Sequence, residues 1–558
     1  MRSIIVVAYL VGILGVGALA RRSDRGDESF FLAGRTLGPF ILLATMAATN
    51  FSGFTVLGFS GAGYRMGFAF YPVMAYGTAL MAVSFLVIGV PVWRIGRRAG
   101  LVTPPELLRA RHGSRSLSVV FGAAMAVFTV PYLAIQPMAA GYALEGILGI
   151  PYAAGAGLVT ALVLVYVLIG GLRAVARTDV IQGVAMTALL AVGLFVVARA
   201  SGGFVTGLTR VAADSPAHFS RPGAGGGLAL GLWASYMLLW SLADPMFPQL
   251  FQRFYAARGE RSILRTMTLY PVVTGALFFF PVAVGVLGRL HFPGLEGSET
   301  DQVLPLLMDS FGGDWLSALA VAGLLGAIMS TMDSQLLTLG SIVERDLMGL
   351  RDGGARDGAE PRGGRAGRRA GLPARATVAV LAVGGYLLAL RPPATILAIA
   401  TETFAGLAVL FPSVVAAIYW RRASASWSLA SILVGEAAVV LYHFKLMPTL
   451  GLLPAVPAVG LSALVILLGG AFRRTGDEPP PWWRGETSLG FSRSGARTWS
   501  AVLAGFFVLS LGWWRGAAEP LLLLGLPTWV YYFFGLCVVL AGALHGVTRS
   551  LERRGGLR

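Results

Sequence analysis

Apolar runs of about 17 residues or more recur along nearly the whole chain, and each is long enough for a helix to cross a bilayer's hydrocarbon core. Barrel strands would alternate over about 10 residues, and these runs do not alternate. Charged residues make up 13% of the 558 positions, about half of the roughly 25% usual in soluble proteins. Fifteen candidate spans follow: 3–20, 39–62, 67–93, 116–142, 151–171, 178–199, 226–248, 267–289, 314–342, 376–391, 394–420, 426–444, 452–471, 499–514 and 521–545. The chain reads as an all-α polytopic membrane protein, one membrane domain with no room for a soluble domain of ordinary size.

A formal net charge of +17 would suggest a nucleic-acid partner if the chain were soluble. In a membrane protein the place of the charge matters more. With the N-terminus outside, every second connection faces the cytoplasm, and those connections hold about four in five of the 44 Lys and Arg. The expectation is a cell-membrane protein, in a prokaryote's inner membrane, with an extracellular N-terminus and a cytoplasmic C-terminus. Its surroundings are membrane lipid, and nucleic acid is excluded. The first apolar segment is followed by Arg21 and Arg22, whereas a signal peptide carries its positive charge in front, so a retained helix is expected. One cysteine and five scattered histidines leave no disulfide framework or metal cluster. No acid–base constellation of a membrane enzyme stands out, so neither enzyme activity nor a cofactor is expected. The Gly/Arg-rich stretch 351–376 reads as a disordered basic loop, and Trp482 and Trp483 as anchors at the membrane interface.

Polar groups at bilayer depth are costly, about 2.5–3.5 kcal/mol for a charge on insertion scales, and here they gather in three spans. In the second span, "ATNFSGF" (48–54) sets Thr49, Asn50, Ser52 and Gly53 together. Glycine weakens a helix by about 0.8–1 kcal/mol against alanine, and Asn and Ser compete with the backbone ladder. Close helix packing through small residues accounts for Gly58, Gly61 and Gly63 but not for Asn50. In the seventh span, Pro245 and Pro248 lack an N–H and clash with the carbonyl four residues earlier, which predicts an opening around Ser241–Asp244. The alternative is a span that ends before Pro245 and leaves Asp244 at the interface. Freed carbonyls at this depth are tolerated where they line a cavity or meet a ligand. The second and seventh spans enter from opposite sides, and interrupted helices paired in this way mark the midplane site of a secondary transporter. In the ninth span, Ser330, Ser334, Thr338 and Ser341 share one helix face, with Thr331 and Asp333 beside them. Such hydroxyls either bond back to their own helix or, with backbone carbonyls, suit a hard monovalent cation. Divalent ions usually take several carboxylates.

Together with "FFLAGRTLGPF" (30–40), "GGLRAVARTDVIQG" (170–183), "FPQLFQRFYAARGERS" (247–262) and "GAIMSTMDSQLLTLGSIVERDL" (326–347), these stretches resemble the sodium/solute symporter family over roughly residues 1–472. The resemblance implies a LeuT-like core of two inverted five-helix repeats, about 39–199 and 226–420. A cytoplasmic linker, 473–498, and two additional C-terminal helices within 499–558 follow. It implies sodium-coupled uptake of a small organic solute (an amino acid, a carboxylate or a vitamin-like molecule) by alternating access. A proton is the alternative coupling ion, and a membrane sensor on a transporter-like core is the alternative of another class. The implied sodium ligands are the carbonyls of Ala48, Phe51 and Ala327 and the hydroxyls of Ser330 and Thr331. Asp179 matches an aspartate on the family's ion-release path. Asp333 and Ser334 stand where some members hold a second sodium, with Asp333 departing from a hydroxyl pattern. For the solute, Phe54 and Trp240 match aromatic positions of the proline carriers, and Asp244 stands where those have a tyrosine. Asn50 and Gly53 in the second span and Gln136 in the fourth complete the candidate pocket.

Overall fold

A computed structural model describes residues 1–19, 27–349, 372–472, 477–512 and 521–553. Most of the Gly/Arg-rich stretch expected to be a disordered loop lies outside these. The described chain is helical almost throughout, with one two-stranded turn at 522–527. In chain order, α1 is Arg2–Leu19, α2 Pro39–Asn50, α3 54–66, α4 70–99, α5 Arg115–Leu148, α6 Tyr152–Leu168, α7 Gly171–Ala200, α8 Leu230–Ala243 and α9 Pro248–Ala256. They continue with α10 Glu260–Gly288, α11 Gly313–Leu347, α12 Leu372–Ala389, α13 Ile396–Tyr419, α14 Ala425–His443, α15 Ala455–Phe472, α16 Arg493–Ser510 and α17 Thr528–Arg553. Among the described residues nine helices are long and apolar enough to cross a membrane, and four shorter apolar helices join them, against the fifteen spans expected.

One order occurs twice. The interrupted pair α2/α3 is followed by α4 to α7, and the interrupted pair α8/α9 by α10 to α13. The first unit's last helices, α6 and α7, run along α11 of the second, and α2 and α9 meet α11 at the same place. An isolated bridge ties the units again, with Leu37 N donating to Ala256 O at 3.2 Å and Arg258 N to Leu37 O at 2.9 Å. The C-terminal helices dock on this core. Trp233 Nε1 donates to Ser510 O at 2.9 Å, and Cys537 of α17 lies against Gly275 of α10.

The structure shifts three expectations. α8 runs regularly through Ala243, and the opening falls at Asp244–Phe247, where Phe247 has ψ 123°. The proline ring disturbs the carbonyl behind it, yet Pro248 is well placed as the first residue of a new helix, so the chain resumes as α9 instead of leaving the membrane. Residues 172–177, placed in a loop, are helical; α6 passes into α7 at Gly171, whose φ of 63° makes the turn. Trp483 is buried at 2% exposure, and Arg98 lies over the Trp482 ring at 5.2 Å, so this pair packs on the protein.

Small residues let α3 and α10 touch backbone to backbone. A Cβ built on Gly285 would stand 1.9 Å from Ser60 O, and one on Gly63 2.5 Å from Val282 O. Without a hydrophobic drive between helices in lipid, close packing of this kind holds the bundle. Gly285→Val is therefore expected to separate α3 from α10, costing at least about 1–3 kcal/mol by overpacking. Size-exclusion of the variant in mild detergent should show aggregate in place of a monodisperse peak. A normal peak with unchanged melting temperature would refute the contact.

Candidate functional site

The interruption of α2 comes from side chains that take over backbone partners. Phe51 leaves the helix with ψ 92°, while its N–H still reaches Ala47 O at 2.8 Å. Thr55 Oγ1 donates to Asn50 O at 3.0 Å, and Phe54 N donates to Ser52 Oγ at 3.2 Å. Gly53 N donates to Gln136 Oε1 of α5 at 3.2 Å. A Cβ on Gly53 would lie 2.5 Å from Ala139 Cβ, so glycine is what lets the break approach α5.

The hydroxyls of α11 face this break. Ser330 Oγ stands 3.0 Å from Ala48 O and 3.1 Å from Ala327 O, and Thr331 Oγ1 stands 3.0 Å from Thr49 O. Ala48, Phe51, Ala327, Ser330 and Thr331 are all buried, at 0–2% exposure. Of the groups the resemblance names, Ala48 O and Ala327 O thus lie against the Ser330 hydroxyl, the Thr331 hydroxyl faces α2 at Thr49 O, and Phe51 follows at the break. Thr49 O was not among the expected ligands; its place beside Thr331 follows from α2 staying helical to Asn50.

One turn further along α11 the surroundings become charged. Asp179 of α7, at 0% exposure, accepts from the Thr45 hydroxyl and from Arg253 Nη2 at 3.2 Å, while its Oδ1 is buried with no hydrogen-bond partner. Arg253 Nη2 also donates to Ser334 Oγ at 2.8 Å, Nε to Thr45 Oγ1 at 2.9 Å and Nη1 to Gln249 O at 2.8 Å. Ser334 Oγ lies 3.0 Å from Asp333 Oδ1, and Asp333 Oδ2 accepts from Tyr166 at 2.5 Å. Arg253 is 1% exposed. The span expected at 226–248 leaves Arg253 in the connection that follows it; in the structure α9 continues the chain and keeps it in the core. Its signal in the sequence was "PQLFQRFYA": a proline that can start a helix, followed by Leu250, Phe251, Phe254 and Tyr255 around the arginine.

The remaining candidates line the other side of the break. Asn50 Nδ2 donates to Tyr270 OH at 2.7 Å and reaches Asp244 Oδ2 at 3.4 Å. Phe54 and Trp240 have ring centroids 5.7 Å apart, and Phe404 of α13 packs on both, at 5.7 Å and 5.1 Å. Tyr132, Phe247, Phe404 and Tyr270 were not read from the sequence; aromatic residues in apolar helices give no local sign of facing a site. Tyr132 carries one, since it lies four residues before Gln136 and between two prolines of α5. Above this cluster, outside the apolar spans, Asp301 accepts from Ile396 N at 2.8 Å and faces Arg65 at 3.7 Å. Burial pushes its carboxyl up to about 6 against those two stabilising partners.

Comparison with known proteins bears on the family and the fold. The sequence is 28% identical over 480 residues to the sodium/pantothenate symporter of Escherichia coli (strain K12), covering 84% of this chain and 95% of that one. It is 27% identical over 444 residues to the osmoregulated proline transporter OpuE of Bacillus subtilis (strain 168), covering 78% and 87%. Among solved structures, a sodium-coupled sialic acid symporter in a substrate-bound outward-open state superposes with a TM-score of 0.69 at 16% identity, over 86% of this chain and 99% of that one. A nucleobase-cation-symport-1 family transporter in a closed conformation gives 0.53 at 13% identity, over 86% and 99%. Both likenesses are of fold: the chain has the LeuT-like architecture of inverted repeats. The family described as the sodium:solute symporter family matches residues 30–435, more than half of the sequence, and the chain belongs to it.

Proposed function

We propose that sodium binds between α2 and α11, held by the carbonyls of Ala48, Phe51 and Ala327 and the hydroxyls of Ser330 and Thr331, and that this ion drives uptake of a small organic solute. Sodium-coupled symport of small organic solutes is the family's activity. The observation that carries the site is the meeting of two adjacent α11 hydroxyls with α2 carbonyls at the point where α2 loses its regular winding. A hard monovalent cation takes neutral oxygens, and both hydroxyls can turn their lone pairs from a carbonyl to an ion. The solute lies beside both interruptions, next to Asn50, Gly53, Phe54, Gln136, Trp240 and Asp244.

Coupling requires that sodium bind the solute-competent arrangement better than the other, since equal affinity shifts nothing. An ion between α2 and α11 meets this need, because it joins the interrupted helix of one repeat to a continuous helix of the other. Rocking of one group of helices against the other then exposes both ligands to the opposite face. We place the N-terminus outside and the C-terminus inside, so that most of the arginines stay cytoplasmic; moving Arg253 into the core leaves that asymmetry intact. Asp179, one turn from the cage, with a carboxylate oxygen unspent, is the first acceptor on the sodium's way in.

The first test needs no solute. Purified protein titrated with sodium chloride at constant ionic strength, potassium replacing sodium, should gain melting temperature in a saturable way. Equal melting in sodium and potassium would remove the ion from the mechanism.

A further inference from the structure

Several buried acids of this protein are paired with cations. Glu260 receives Arg94 twice, at 2.8 Å and 2.6 Å; Asp179 receives Arg253 at 3.2 Å; Asp301 faces Arg65 at 3.7 Å. Asp333 and Asp346 are held by hydroxyls instead, from Tyr166 and Ser334 and from Thr103 and Ser118. Asp244, at 2% exposure, also has no ion pair among the described residues but lies at the break between α8 and α9. Its neighbours are the Asn50 amide at 3.4 Å, the Thr78 hydroxyl and the phenols of Tyr132 and Tyr270. Among the described residues no Arg, Lys or His forms an ion pair with it.

Its position matters as much as its isolation. Asp244 is the first residue of the interruption between α8 and α9, directly after the turn that presents Trp240. Trp240, Phe54 and Phe404 stand together, Tyr132 links Asp244 to them by packing on Phe404 at 4.9 Å, and the buried Trp240 Nε1 has no hydrogen-bond partner. A carboxylate beside aromatic faces is a recognition site for a positively charged nitrogen: the acid supplies the counter-charge, and the rings attract the cation through their quadrupoles. An anionic group placed there would find no cation among the described residues to pair with.

We propose that the transported solute carries a protonated or quaternary nitrogen, bound at Asp244 with its hydrocarbon part against Trp240, Phe54 and Phe404. The inference rests on the symport reading above and narrows it, from small organic solutes in general to amines, quaternary ammonium compounds and zwitterionic amino acids. It separates the chemistries named for the relatives. Proline bears a cationic nitrogen, whereas pantothenate is a carboxylate without one.

The test is a melting-temperature titration of purified full-length protein in saturating sodium. The probes are L-proline, glycine betaine, choline, pantothenate and glucose, each on the wild type, Asp244→Asn and Asp244→Glu. At least one nitrogen-bearing probe should stabilise the wild type. Its half-saturating concentration should rise by roughly tenfold or more in Asp244→Asn, the scale of a lost buried charge pair, and return part of the way in Asp244→Glu. The proposal is overturned if pantothenate or glucose stabilises most, if no nitrogen-bearing probe binds while sodium does, or if Asp244→Asn leaves that concentration unchanged. It is also overturned if Asp244→Asn weakens the response to sodium alone, which would make the carboxylate an ion ligand. Equal melting of the wild type in sodium and potassium is a different failure: it removes the symport reading itself, and this inference falls with it.

Discussion

Ser330→Ala combined with Thr331→Ala is expected to leave a folded protein that no longer responds to sodium. Each substitution removes one oxygen from α11 while leaving the helix and its close approach to α2 in place. Contacts between a polar group and a charge are worth about 1.5–3 kcal/mol each. Losing two should therefore raise the half-saturating sodium concentration by roughly a hundredfold or more, at about 1.4 kcal/mol per tenfold. The sodium-dependent rise in melting temperature measures this directly, and uptake into proteoliposomes driven by a sodium gradient measures its consequence. Thr331→Ser keeps the oxygen and should keep the response. A double variant with full sodium dependence would place the ion elsewhere.

Arg253→Gln is expected to be among the most damaging single substitutions in the protein. The guanidinium is buried between Thr45, Asp179, Gln249 and Ser334, and Asp333 stands behind Ser334. Without it, Asp179 is left in a low-dielectric core with only the Thr45 hydroxyl for a partner, and must either bear an unpaired charge or take up a proton. Breaking a buried pair by removing one member costs about 3–5 kcal/mol, much of it the penalty of the charge left behind. The variant should lose several degrees of melting temperature or fail to give monodisperse protein. Arg253→Gln with Asp179→Asn should recover part of the loss, since the acid that pairs directly with Arg253 is then neutral while Asp333 remains, and the non-additivity measures the pair. Equal losses in the single and double variants would show that Arg253 acts through packing alone.

The pattern of apolar runs was enough to establish a helical membrane protein, because a bilayer leaves a chain of this composition no other way to satisfy its backbone. Local rules also located both interruptions: glycine, asparagine and serine in one span, two prolines in another, each acting on the hydrogen bonds of its own helix. The hydroxyl stripe of α11 was visible for the same reason, as a helix repeats its faces every few residues. Arg253 was legible only as a charge. Sequence statistics put arginines at membrane edges, and only the continuation of the chain as α9 after Pro248 brings this one to Asp179, 74 residues away. Likewise, nothing local distinguishes Asp244, which ends up without a cation, from Asp179, which has one. Whether a buried charge is paired depends on which helices become neighbours, and that is decided by packing between segments far apart in the chain. Tertiary structure alone therefore paired one acid with an arginine and left the other at the break with neutral neighbours.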